Sequence, residues 1–203
     1  MATTAAPYGL LPINLIGGQS FTGGSIRDYA MTVNSATAIF KGDIVAIGVS
    51  SGGQPTALTA TPTTSTRGLV GVAVGCSYVD PVLKYQVFAN FLPANAISAG
   101  YTNVAIRVVE DPDQLYQVQA DGAIARTQIG LNAELTNFGG STTTGNSTIA
   151  LESTTPANTS TYAVRIVDLV VGPLSTPGDA KTDCIVKFNF GVHSYYQSAG
   201  ATN

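Results

Sequence analysis

The stretch from residue 104 to residue 119 holds the clearest strand pattern in the chain. Residues 104–109 read Val-Ala-Ile-Arg-Val-Val, residues 110–113 read Glu-Asp-Pro-Asp, and residues 115–119 read Leu-Tyr-Gln-Val-Gln. β-Branched and aromatic residues favour strands, and the Asp and Pro between the two runs favour a turn. The stretch therefore predicts two β-strands joined as a hairpin, with alternate side chains of the returning strand on opposite faces.

Similar runs lie on both sides of this hairpin, separated by Gly, Pro, Ser and Thr. No long window has the apolar spacing of a helix, and residues 129–135 are compatible with a short strand or a turn. About ten strands at irregular spacing predict an all-β fold, an antiparallel sandwich or small barrel with long loops. Within it, Gly71 and Gly75 indicate bulges or close backbone approaches. The other strand candidates are residues 27–33, 38–40, 44–47, 55–61, 68–79, 85–91, 149–151, 162–171 and 184–193.

Charged residues are scarce. Of the 203 residues, 10% are charged and 44% are hydrophobic, and the formal net charge is −3. An ordinary soluble domain has about 25% charged residues. A surface with few charges is easily desolvated, which favours assembly with other proteins, although a monomer covered in Thr, Ser, Asn and Gln is the alternative. No basic run indicates nucleic-acid binding.

The N-terminal segment differs from the rest. Residues 6–18 carry no charge, contain several Pro and Gly, and are rich in Leu and Ile. An apolar, irregular segment should lie against something, either its own domain or a neighbour. We therefore expect an extended arm over residues 1–25, a β-rich body over residues 26–196 and a flexible tail over residues 197–203. The arm residues expected to bind a partner are Pro7, Tyr8, Leu10, Leu11, Pro12, Ile13, Leu15 and Ile16.

Residues able to support chemistry are few. The acids Glu110, Asp111 and Asp113 could hold Ca²⁺ or act as acid and base, but Asp and Pro so spaced favour a turn. The sequence has no nucleophile motif with which His193 could form a catalytic triad, so His193 is interpreted as structural. The sequence predicts no metal site, no cofactor and no enzymatic activity. Tyr8, Tyr195 and Tyr196 are interface anchors, carbohydrate-stacking rings or ordinary packing residues.

Both cysteines lie in apolar strand candidates. Cys76 and Cys184 are interpreted as small buried hydrophobic residues, because no C-x-x-C spacing indicates zinc and sequence alone cannot establish a disulfide. The N-terminus lacks a signal peptide, and no segment reaches the length of a membrane helix. We expect a protein made in the cytoplasm that does not bind membranes.

Five blocks of sequence, in their order along the chain, resemble tailed-phage virion proteins, particularly the capsid decoration (cement) proteins of short-tailed phages. Gly42-Asp43-Ile44-Val45 also resembles the strand entry of β-tulip decoration proteins, which sit as trimers on capsids. The resemblance implies a non-enzymatic structural protein of the virion, located on the capsid surface, that binds the phage major capsid protein and self-associates, with a trimer favoured. The five blocks are residues 6–12, 38–45, 68–75, 109–122 and 186–193.

Two other functions were considered. A receptor-binding or glycan-binding module of the virion surface would use the polar loops at residues 139–147 and 156–160, where Phe138 is the nearest aromatic residue. A glycan-cleaving enzyme would need two acids in a cleft, and the acids around Glu110 are the candidates for that role.

Overall fold

The computed structural model describes residues 4–18, 26–48, 51–63, 68–173 and 175–192. Over these ranges the chain forms fifteen β-strands and a 3₁₀ turn at Arg126–Gln128, and it has no α-helix. The all-β prediction is confirmed. The strands are β1 (Leu11–Leu15), β2 (Ile26–Ala30), β3 (Ile39–Phe40), β4 (Ile44–Ile47), β5 (Pro55–Ala57), β6 (Leu69–Val79), β7 (Gln86–Ala89), β8 (Phe91–Leu92), β9 (Thr102–Val109), β10 (Gln114–Gln119), β11 (Asn132–Ala133), β12 (Leu135–Thr136), β13 (Ala150–Leu151), β14 (Val164–Leu169) and β15 (Asp183–Phe188).

Two larger antiparallel sheets organise the described strands. The five-stranded sheet has the order β1-β10-β15-β14-β11, and the six-stranded sheet has the order β2-β9-β6-β4-β5, with β7 also paired to β6. Two short ribbons, β12-β13 and β3-β8, accompany them. The sheets do not close into a barrel, so the arrangement agrees with a sandwich.

Two hydrophobic cores lie on the two faces of the six-stranded sheet. The first core contains side chains from both large sheets, including Val72, Val109, Tyr116 and Val186. The second core lies on the opposite face and includes Ile106 and residues of the β3-β8 ribbon. Strands buried on both faces read as nearly continuous apolar runs, which is why residues 104–109 and 69–79 stand out in the sequence.

The predicted hairpin over residues 104–119 is wrong. β9 pairs with β2 and β6, whereas β10 pairs with β1 and β15 in the other sheet. The turn at residues 110–113 therefore carries the chain from one sheet to the other. Turn residues indicate where a chain reverses, but they do not determine which strands become neighbours.

Both glycines singled out in β6 have the predicted roles. A Cβ atom on Gly71 would lie 1.8 Å from the Val109 carbonyl oxygen, so only glycine permits this approach of β6 to β9. The β6-β9 register shifts between Ala73 and Gly75, where Gly75 has φ +155°. β6 continues to pair with β9 on both sides of this bulge.

The cysteines are buried and free, as predicted. Cys76 lies in the second core and Cys184 in the first. Burial raises the pKa of Cys76 to about 11 and that of Cys184 to about 12, so both thiols are poor nucleophiles. Over the described ranges, no helix has the length and apolar character needed to cross a membrane.

Candidate interaction surfaces

The predicted N-terminal arm lies against the body of its own chain. The Ala6 N–H donates to Gln119 Oε1 at 2.8 Å, and the Tyr8 hydroxyl donates to Asp183 Oδ1 at 3.1 Å. Burial raises the pKa of the Tyr8 hydroxyl, and the nearby Asp183 carboxylate adds to the effect. Residues 6–8 are thus tied to two strands of the five-stranded sheet before β1 begins.

Leu10 anchors this segment in the first core. Its side chain is 1% exposed, and its N–H donates to the Gly42 carbonyl at 3.0 Å. Gly9 passes so close to Gly42 that a Cβ on Gly9 would lie 2.7 Å from the Gly42 oxygen, and both glycines have positive φ. The approach joins the N-terminal segment to the turn before β4.

β1 then completes the five-stranded sheet. It pairs with β10, and Gln114 Nε2 donates to the Asn14 carbonyl at 3.0 Å. The Ile16 N–H donates to the Asp113 carbonyl at 2.8 Å. The described part of residues 1–25 therefore includes an edge strand of the sandwich.

The eight predicted partner-binding residues divide by exposure. Leu10 is buried, whereas the side chains of Leu11 and Ile16 are exposed. The other five, Pro7, Tyr8, Pro12, Ile13 and Leu15, are half-buried. Partner binding by this segment stays a prediction, and it applies best to Leu11 and Ile16.

The acidic stretch around Asp111 forms a turn, as the sequence predicts. Asp111 Oδ1 accepts the Asp113 N–H at 2.8 Å, and Asp113 Oδ1 lies 2.7 Å from Lys187 Nζ. Glu110 Oε2 accepts the Tyr29 hydroxyl at 2.7 Å, and Glu110 Oε1 lies 3.8 Å from Arg27 Nη1. These contacts hold β2, the crossover turn and β15 together.

A cleft of about 430 Å³ opens beside this turn. Its apolar lining includes Leu69, Tyr116 and Phe190, and Ile16 lies at one side. Arg165 and the Asp113–Lys187 pair contribute charges of both signs. Within the described ranges, no three His, Cys, Asp or Glu residues are grouped so that they could hold a metal ion. The cleft is suited to receiving an apolar side chain.

A second surface lies at the β6-β7 hairpin, and it is strongly apolar. Asp80 Oδ1 accepts the N–H groups of Val82 and Leu83 at 2.8 and 2.9 Å, which shapes the turn. The Arg107 guanidinium carbon lies 5.1 Å from the centre of the Phe88 ring. We call the exposed side chains of this hairpin the hairpin surface: Val82 (83% exposed), Leu83 (54%), Tyr85 (58%) and Phe88 (66%).

The hairpin surface was not among the predicted sites. The sequence predicted a strand over residues 85–91, and the structure has β7 and β8 there. The available signal was the Pro-Val-Leu-Lys run at residues 81–84, where two apolar residues occupy turn positions that polar residues usually fill.

Asp43 is a buried carboxylate at the junction between the N-terminal segment and β4. Its Oδ2 accepts the Phe40 N–H at 2.8 Å, whereas Oδ1 has no hydrogen-bond partner among the described atoms. Burial raises the pKa of Asp43 to about 6, although the Ser147 hydroxyl and the Phe40 N–H favour the charged form. This acid titrates near neutral pH.

The loops proposed for glycan binding offer little for stacking. Phe138 is half-buried and packs against the first core. The loop at residues 139–147 is bound to the Lys41 backbone, because the Lys41 N–H donates to the Gly145 carbonyl at 3.1 Å. His193, Tyr195, Tyr196 and the predicted tail at residues 197–203 lie outside the described residues.

Comparison of the chain with protein-family models, curated proteins and solved structures finds no match.

Proposed function

We propose that this chain is a non-enzymatic structural protein of a tailed-phage particle. It binds the outer surface of the capsid and bridges subunits of the major capsid protein. The observation that carries the proposal is the placement of charged and apolar groups. The acids of the crossover turn have partners within the chain, whereas Leu11 in β1 and Ile16 directly after β1 expose large apolar side chains.

Composition supports the same proposal. With 10% charged residues, most of the surface can be desolvated without the large cost of removing an ion from water. An icosahedral shell repeats each contact many times, so weak individual contacts become strong collectively. A clamp across capsid subunits gains from such contacts. The resemblance to decoration proteins adds self-association, with a trimer as the assembly it implies.

The β1 edge is the surface we assign to the capsid. The side chains of Leu11, at the start of β1, and of Ile16, directly after its end, are exposed, and Ile16 borders the cleft beside the crossover turn. An apolar side chain of the capsid protein would enter the cleft between Ile16 and Phe190, and neighbouring contacts would exclude water. The charges lining the cleft would orient polar groups at its rim.

Co-sedimentation with empty capsids tests this assignment. The variant Leu11→Glu places a charge on the assigned surface without disturbing the core. Val33→Glu is the matched control, because Leu11 and Val33 are both 41% exposed. We expect Leu11→Glu to weaken capsid binding about tenfold or more, and Val33→Glu to leave it nearly unchanged.

Circular dichroism must first show that both variants are folded. If the wild-type chain does not co-sediment with capsids, the proposed function fails. If it co-sediments and both variants bind equally well, the capsid proposal survives but the assignment to β1 is wrong.

A further inference from the structure

The open edges of the two large sheets are not alike. β1 carries Pro12 and β5 begins with Pro55, and proline lacks the N–H that an added strand needs. β2 exposes the charged Arg27 and Asp28. β7 reads Gln-Val-Phe-Ala, with neither proline nor charge. Among the described edge strands of these sheets with more than two residues, β7 therefore lacks the protection that the others have.

The two-residue strand β11 is protected in a different way. The Asn132 N–H donates to the Ala157 carbonyl and the Ala157 N–H donates to the Asn132 carbonyl, both at 2.8 Å. A neighbouring loop therefore covers this edge. The contrast with β7 remains, because among the described strands β7 pairs with β6 alone.

The outer backbone of β7 is available for pairing. The Asp80 N–H donates to the Tyr85 carbonyl at 3.2 Å, so the alternation of antiparallel bonds directs the N–H and C=O groups of Gln86 and Phe88 away from β6. No hydrogen bond within the described ranges uses these outward groups. At Asn90 the carbonyl accepts the Lys41 N–H at 2.7 Å, which ends the open edge.

We propose that β7 pairs with β7 of a second copy of this chain, in antiparallel orientation about a two-fold axis. Antiparallel pairing of a strand with itself is self-complementary, so each copy supplies the same donors and acceptors. The strand has no charge to repel its copy. The two six-stranded sheets would become one continuous sheet, with the two Phe88 rings on the same face.

The apolar area of the hairpin surface fits a second copy. Its four side chains expose roughly 400–500 Å² together, given about 150–250 Å² for a whole aromatic side chain. Two copies bury roughly 1,000 Å² when the backbone edge is included, which is near the lower limit for a specific interface. We therefore expect a dimer with a Kd in the micromolar range rather than an obligate one. This inference is independent of the capsid proposal.

Sedimentation equilibrium of the full chain over a range of concentrations tests the inference. We expect a mass that rises from 20.8 kDa to twice that value as concentration increases. Phe88→Glu should raise the dimer Kd about tenfold or more, because it places one carboxylate from each copy close to the two-fold axis. Within each chain the new carboxylate would face Arg107, which helps the variant to fold.

Val171→Glu is the matched control, since Val171 is 63% exposed and belongs to neither β6 nor β7. It should leave the dimer Kd unchanged. Gln86→Lys is a second test at an exposed edge position, in case Phe88→Glu fails to fold, and it should also weaken the dimer.

Three results would overturn the inference. The first is a wild-type chain that stays monomeric at all concentrations. The second is a dimer, or the trimer that the resemblance implies, that tolerates both edge variants. The third is a loss of association that is equally large with Val171→Glu.

Discussion

The chain reverses direction through an Asp-Pro pair at two places, once between neighbouring strands of one sheet and once between the two sheets. Asp80 and Pro81 lie in the turn from β6 to β7, and Asp111 and Pro112 lie in the turn from β9 to β10. In each turn the Asp carboxylate accepts the N–H of the residue two positions further on, at 2.8 Å. Their local chemistry is the same.

The flanking side chains make the two turns different. The crossover turn carries Glu110 and Asp113, which bind Tyr29, Arg27 and Lys187 inside the molecule. The β6-β7 turn is flanked instead by the apolar side chains of the hairpin surface, most of whose area faces solvent. One turn therefore binds side chains from other strands of the chain, whereas the other exposes apolar side chains to solvent.

Gly71→Ala should have the largest effect, because Gly71 allows β6 to approach β9 just before the crossover turn. The added Cβ would overlap the Val109 carbonyl oxygen, and we expect a loss of at least about 3 kcal/mol in the free energy of unfolding. Urea denaturation measures it. The control is Gly172→Ala, which meets open space and should change stability by less than about 0.5 kcal/mol. Equal stability of the two variants would contradict the claim that β6 can pack against β9 only with glycine at position 71.

Leu10→Ala and Leu83→Ala compare a buried leucine of the N-terminal segment with an exposed leucine of the hairpin surface. Leu10 is fully buried in the first core, so we expect a loss of about 2–5 kcal/mol. Leu83→Ala removes the same atoms from an exposed position and should cost less than about 1 kcal/mol. Thermal unfolding followed by circular dichroism compares them. A small effect of Leu10→Ala would contradict the view that the N-terminal segment is anchored in the first core.

Asp43→Asn tests whether burial raises the pKa of the Asp43 carboxyl group and so makes the stability of the fold depend on pH. The folded-state pKa of Asp43 is raised from 3.8 to about 6, so its contribution to stability is fully present below pH 4 and is lost as pH rises through 6. We expect the Asn variant to be more stable than wild type at pH 8 by on the order of 2 kcal/mol, with little difference at pH 4.

Unfolding curves between pH 4 and pH 8 measure this difference, with Asp28→Asn as the control, because the Asp28 side chain is 68% exposed. A stability difference between Asp43→Asn and wild type that does not depend on pH would contradict the assignment.

Asp113→Asn should have the smallest effect. It removes the charge pair with Lys187, whose two side chains are partly exposed, so we expect a loss of less than about 1 kcal/mol. The loss should shrink in high salt, because salt screens exposed charges. A larger loss that does not respond to salt would show that the crossover turn depends on more than this pair.

Strand positions could be predicted from the sequence because residues buried on both faces form long apolar runs. Residues 44–47 and 69–79 show this clearly, and the structure places strands there. Strand partners could not be predicted. The alternation of side chains along β10 is the same whether β10 pairs with β9 or lies in the other sheet.

The N-terminal segment shows a second limit. Proline within an apolar run argues against a central strand, and Pro12 contributed to the prediction of an arm. In the structure Pro12 lies in an edge strand, where a missing N–H costs nothing on the open side. Only the register with β10 reveals this, and the register depends on the whole fold.

The hairpin surface shows a third limit. Val82 and Leu83 look like ordinary apolar residues in the sequence, and their exposure follows from a turn that extends beyond both cores. A surface for partners is therefore visible only after the cores are known. The low charge favours assembly with other proteins, which stays a prediction, and the sequence does not indicate which surface would be used.

Amide hydrogen exchange at several protein concentrations tests the difference between the two turns most directly. We predict that the Gln86 and Phe88 amides, which point away from β6, exchange more slowly as concentration rises from about 1 µM to about 300 µM. The Gln114 amide, which donates to the Asp111 carbonyl at 3.2 Å, should exchange at one rate throughout. Exchange at Gln86 and Phe88 that does not change with concentration would contradict the account.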